Sequence, residues 1–290
     1  MDIRTIKETP EEVSRGLFLE KIFELQKRLM EGYIGKIEKN LPMYPISINS
    51  EQGQVVLKDF SARVIEETAE GYESTEEAIN IAESVGWNMD LLNSEQFEMI
   101  INHLQNSNEE QADAFAFFTE LFIYANIGPS DIYAYINQRI LKETDDSIEN
   151  LDDLFKFGAF VLQNDGYVEP TLQLFNLITE DMLENHGKDV RHVLSYIPGF
   201  RSTTRELHSA EDHILWKVCY HLNIGRNFLK NKTWKQTQEL TDGLRYQEQI
   251  VKAFIYYCGY LKVMGFTPET FYVLFFKKHK VNCFRQASNY

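Results

Sequence analysis

Apolar residues in this chain return every three or four positions, and alternation with a period of two is scarce, so the chain is constrained to build its core from helices. Phe18, Ile22, Leu25, Leu29 and Tyr33 make one such stripe, behind a Pro10-Glu11-Glu12 sequence that reads as a helix start. The most heavily aromatic stripe is Phe115, Phe118, Phe122 and Ala125. It marks a long central helix that begins at Ser107 and stops near Gly128-Pro129. The fold class this predicts is all-α, a helical bundle.

Punctuation divides the rest. Residues 35–59, with Pro42, Pro45 and Gly53, read as a connecting loop, followed by a helix from near Phe60 through Glu70. Short helices are expected over 75–85, ended by Gly86, and over 94–105. Residues 145–211 are irregular and read as a helical insertion. Regular helices follow over 212–230, 241–264 and from Pro268 to about Lys280. This gives a first half (1–144), the insertion (145–211) and a second half (212–290), all in one domain. The halves resemble each other: 124–133 aligns with 263–272 at an offset of 139, which also pairs Ala114-Phe115 with Ala253-Phe254. The same offset sets Glu110 and Asp113 against Gln249 and Lys252, so only the first half keeps the acids. Two helices that each stop before a proline would give part of this pattern without any duplication.

With 44 acidic and 29 basic residues the net charge is −15, which repels a polyphosphate backbone and disfavours nucleic acid as a partner. The first 13 residues are charged and lack an apolar core. The longest near-apolar run, 253–261, is well short of the ~18 residues that span a bilayer. Three widely spaced cysteines, Cys219, Cys258 and Cys283, indicate neither a disulfide framework nor a zinc knuckle. No membrane association and a reducing, cytoplasmic setting are expected. The histidines have no metal-ligand spacing, and no phosphate-cradling glycine loop occurs.

Two carboxylate pairs carry the chemistry. Glu67 (or Glu66) shares a helix face with Glu70, and Glu110 shares one with Asp113. Like charges so placed repel, a cost that makes sense where hard cations such as Mg²⁺ collect oxygen ligands. Against this, Ser107-Asn108-Glu109-Glu110 has the form of a capping box, in which Glu110 would only cap a helix. A basic cluster, Lys277, Lys278, Lys280 and Arg285, has no acid in the last 14 residues and reads either as an anion site or as a solvated end. Arg226, Lys230, Lys232 and Lys235 around Trp234 form a second basic patch, ranked below the first. Gln26 is a polar group on the apolar stripe of the first helix and must be paired if buried, by a ligand or by the protein itself.

These motifs resemble the all-α nucleoside triphosphate pyrophosphohydrolases, the superfamily of MazG-like enzymes and dimeric dUTPases. The likeness lies in an ExxE pair, an ExxD pair on an aromatic helix, and a closing Lys278, Asn282, Arg285-Gln286 and final Tyr290. It covers roughly residues 16–135 and 210–290. The resemblance implies Mg²⁺-dependent cleavage of dUTP to dUMP and pyrophosphate by a homodimer, with another nucleotide such as dCTP as the alternative substrate. Glu67, Glu70, Glu110 and Asp113 would hold the metal, with Glu67 as the base. Gln26 would read the nucleobase, and Lys278, Asn282, Arg285 and Tyr290 would close over the phosphates as a tail ordered only by substrate. A noncatalytic nucleotide-binding protein of the same fold is the alternative from another class. Departures are the ~40 residues between Glu70 and Glu110, read as an insertion of short helices, and Asn289 where the family shows Gly.

Overall fold

The computed structural model describes residues 3–8, 10, 16–88, 91–141, 147–165, 200–230 and 241–288, with side chains of 200–210 left aside. Among them are eight α-helices: α1 (Phe18–Tyr33), α2 (Glu51–Ser84), α3 (Ser94–Tyr124), α4 (Pro129–Tyr135), α5 (Leu151–Asn164), α6 (Phe200–Phe228), α7 (Gly243–Val263) and α8 (Pro268–Ala287). No strand occurs among the described residues, so the protein is all-α as its periodicity dictates. No described helix is long and apolar enough to cross a membrane.

The largest departure from expectation is that four helices become two. α2 begins at Glu51, where the Ser50 side chain accepts from the Gly53 amide, and runs unbroken through the segment expected as a separate helix over 75–85. α3 is likewise continuous from Ser94, capped by Asn93 and Gln96 in a reciprocal box. The polar residues that looked like breaks are instead the seam of the hairpin. Thr75 Oγ1 lies 2.9 Å from Ser107 Oγ, and Asn106 donates to Ser74 Oγ at 2.8 Å. Ser107 is buried mid-helix and opens no capping box. The residues between Glu70 and Glu110 are therefore not separate short helices. They are the distal half of an antiparallel hairpin, which brings the two acid motifs face to face.

The second half packs on the first through α1 and α3 against α8, and α2 against α6. Of the expected insertion, residues 166–199 lie outside the described residues. Its opening segment α5 is core: Leu151, Leu154 and Phe155 are fully buried. α5 meets α7 backbone to backbone, since a Cβ on Gly259 would stand 2.6 Å from the carbonyl of Gly158. The helix at 212–230 begins earlier, at Phe200, and the last helix runs on to Ala287 rather than stopping near Lys280.

The offset of 139 recurs in the joints. α3 and α7 both end through a left-handed residue, Asn126 (φ 58°) and Gly265 (φ 88°). The next amide bonds back five residues in each, Ile127 to Phe122 at 2.9 Å and Phe266 to Leu261 at 3.0 Å. Both following helices open on a proline. Across the core Phe115 meets Phe254 and Phe118 meets Tyr257, ring centroids 5.2 Å apart in each pair. Each residue thus touches its own counterpart, the pattern of a two-fold relation inside one chain.

Candidate functional site

α2 and α3 approach closely where their acids face each other. At Gly71 a Cβ would come within 2.4 Å of Gln111 Nε2, so the smallest residue sits next to Glu70 on one side and the Glu110–Asp113 turn on the other. Tyr257 of α7 holds that turn from beneath, its hydroxyl donating to Gln111 O and Oε1 at 2.7 and 2.9 Å. Glu67, Glu70 and Glu110 converge here, each offering an oxygen within 4.8 Å of the others. Glu66 is exposed and stands outside this group, because one residue turns a helix by about 100° and carries it off the shared face.

The electrostatics are those of crowded anions. Burial pushes the Glu67 carboxyl up to about 8, helped by its bond with Glu110 and by the charges of Asp113, Glu110 and Glu70. Burial likewise raises Glu110, with Lys278 pulling the other way. Two carboxyls in contact cannot both ionise cheaply, so the pair shares a proton near neutral pH.

Asp113 is held differently. Lys278 Nζ sits 3.0 Å from its Oδ2 and 3.2 Å from Glu109 Oε2, and Asn282 Nδ2 stands 3.4 Å from its Oδ1. Burial works against the charge on Lys278, yet Asp113 and Glu109 hold its pKa above the usual value. Lys278 is thus an internal counter-ion, only 5% exposed, rather than part of a loose tail. The expectation of a mobile C-terminus is corrected through Ala287: apolar residues in α8, with Phe275 and Val281 buried, tie it to the core, and Lys280 pairs with Glu8 at 2.9 Å. Arg285 is exposed at the mouth of the site, while Tyr290 and the Lys232, Trp234 and Lys235 part of the second basic patch lie outside the described residues.

From the acids a cleft of about 330 Å³ runs between α1, α2, α3 and α8, lined at one end by Glu67, Asp113, Asn282 and Arg285. The other end is part apolar, with Leu29, Ile37 and Phe117, and is floored by Gln26, Tyr33 and Glu120. Gln26 Nε2 donates to Glu120 Oε1 at 2.5 Å and Tyr33 OH donates to Oε2 at 2.7 Å. At the rim Arg63 grips Glu38 with two bonds, 3.2 and 2.9 Å, and lies over the Phe60 and Phe117 rings. Sequence reasoning found Gln26 but missed Glu120, Arg63, Glu38 and Phe117. One signal was available, since Glu120 is the one charged residue in the run from Ala114 to Tyr124, which is apolar apart from it and Thr119.

Such a cleft has hard-oxygen, anionic groups with an adjacent guanidinium and amide, and a partly apolar, partly aromatic lining with amide and carboxyl groups. The first suits a divalent cation with phosphate oxygens; the second suits a planar heterocycle. No family model, no curated protein and no solved structure matches the chain.

Proposed function

We propose that this protein is a Mg²⁺-dependent nucleoside triphosphate pyrophosphohydrolase with dUTP as its first-choice substrate, in line with the resemblance of its motifs to MazG-like enzymes and dimeric dUTPases. The observation that carries the reading is the convergence of Glu67, Glu70 and Glu110 within 4.8 Å, with Glu67 lining a cleft whose wall also presents Asp113, Asn282 and Arg285. Three crowded carboxylates, with Glu67 lifted to about 8 by burial, by its bond with Glu110 and by its anionic neighbours, fit a divalent ion, which would replace the shared proton. Glu67, Glu70 and Glu110 would hold Mg²⁺, with Asp113 beside them. Bound there, the ion supplies charge neutralisation and polarisation of a phosphoryl oxygen.

The chain's own groups divide the remaining work. Glu67, once ionised, takes the proton of the attacking water. Arg285 and Asn282 hold phosphate oxygens, Arg285 by a charge-assisted fork. Lys278 is committed to Asp113 and Glu109, so its part is to keep Asp113 in place. Phe117 and Leu29 flank the base and Gln26 reads its edge. The homodimer and the cytoplasmic setting belong to the same reading.

Pyrophosphate release over a panel of deoxynucleoside triphosphates tests it, with and without Mg²⁺. Release that depends on Mg²⁺ and is fastest with dUTP is the expected result; a preference for dCTP would move the substrate and keep the chemistry. No release from any nucleotide would end the enzyme reading. The noncatalytic alternative draws on one observation, the Lys278 ammonium already seated among the acids. It predicts nucleotide binding without turnover.

A further inference from the structure

Glu120 is buried to 3% exposure beneath the base end of the cleft, and it is one of the floor groups for which the proposed chemistry has no use. Its two oxygens take donors from two residues of α1, Gln26 and Tyr33. An ionised carboxylate only accepts hydrogen bonds, so it dictates which way the Gln26 amide faces: nitrogen toward Glu120, carbonyl oxygen away.

That orientation matters because a glutamine amide is ambiguous. It offers a donor and an acceptor side by side, and a flip of the group exchanges them. Along positions 3 and 4 of a pyrimidine, uracil presents donor then acceptor, whereas cytosine presents acceptor then donor. A free amide serves both bases by flipping. One pinned from behind serves one of them, and the other base must leave a buried polar pair unmade.

Resting on the reading of this cleft as a nucleotide site, we propose that Glu120 is a specificity-determining positioning residue, which locks the Gln26 amide so that the pocket separates keto from amino pyrimidine nucleotides. Glu120 acts through Gln26 and Tyr33 and needs no contact with the base. The charged and titratable groups around it are Tyr33 on α1, Arg63 on α2, Tyr124 on its own helix and Glu38 in the loop after α1. Burial raises Glu120 to about 7, against the bonds from Tyr33 and Gln26 and the charge of Arg63. Protonated, it can donate to the Gln26 carbonyl and so release the lock.

The test measures binding of the non-hydrolysable α,β-imido triphosphates of deoxyuridine and deoxycytidine, with Mg²⁺, by calorimetry at about pH 8. The wild type should separate the two by about tenfold or more, and Glu120→Gln, whose amide can pair with either orientation of Gln26, should bring them within about threefold. In Gln26→Ala the two should also bind alike, and adding Glu120→Gln should change nothing further. Should Glu120→Gln fail to fold, the wild type alone decides: its discrimination should shrink as pH falls from about 8 to about 6, through the titration of Glu120. Unchanged discrimination in folded Glu120→Gln, or in the wild type across that pH range, overturns the role of Glu120 and leaves the nucleotide site standing. A wild type that binds both nucleotides equally overturns it as well. Binding of neither nucleotide overturns the site and the lock together.

Discussion

The two halves of the chain share a joint and differ in what they place beside it. At the offset of 139, α3 and α7 end with the same hydrogen-bond pattern, turn through a residue in the left-handed conformation and lead into a proline-started helix. Yet Glu110 corresponds to Gln249, which bonds His221 Nδ1 at 2.8 Å, and Asp113 corresponds to Lys252, which pairs with Glu248 at 2.6 Å. Glu120 corresponds to Gly259. The first half keeps a slot there, filled by a carboxyl that α1 must satisfy with two donors; the second half closes the slot by bringing the backbones of α5 and α7 together. The same helical frame is thus used once to pair the polar groups at these positions and once to leave carboxylates crowded beside a cleft. Folding gains nothing from such crowding, which is why it marks the site.

The largest difference between the halves is expected at the acids. Glu110→Gln should lower Mg²⁺-dependent pyrophosphate release by about 10²-fold or more, while Gln249→Ala at the corresponding position leaves it within about twofold. Equal losses would mean that both halves act in the chemistry. The closed slot gives the next effect: Gly259→Ala sets a methyl against the Gly158 carbonyl and should cost about 2–4 kcal/mol in urea unfolding. An unchanged midpoint would show that α5 and α7 are not so closely apposed.

A smaller effect separates the halves by pH. Glu67 has a folded pKa of about 8, above its unfolded value of 4.5, so the folded state binds the extra proton between those values. Stability of the metal-free protein should therefore fall as pH rises from about 5 to about 8, by several degrees in thermal midpoint. Glu67→Gln should flatten that slope, and Lys252→Met should not.

The helices were legible because their stripes are long. Phe18, Ile22, Leu29 and Tyr33 are all buried as their spacing requires. What could not be read was whatever depends on a partner far along the chain. Gln54 and Ser74, Thr75 and Ser107 look like loop or break residues in isolation. Their bonds go to Ile48 and Thr241, or across the hairpin, where local spacing gives no view. Lys278 read as part of an anion site or of a solvated end for the same reason, its counter-ions lying 165 and 169 residues away in sequence. Glu67, Glu70 and Glu110 were within reach since each motif is local; that Glu66 turns away and Asp113 is already paired is a matter of geometry. Glu120 hides in a stripe whose helical signal it barely disturbs.

In the proposed site Glu67, Glu70 and Glu110 would hold the metal, with their shared proton standing where the ion would bind. Titrating Mg²⁺ into nucleotide-free protein at about pH 7, in two buffers of different ionisation heat, measures both the binding and the protons it releases. Saturable binding with release of about one proton per ion is expected, with loss of that release and much weakened binding in Glu110→Gln. Binding of Mg²⁺ that ignores Glu110→Gln, or no binding at all, would contradict the proposed site.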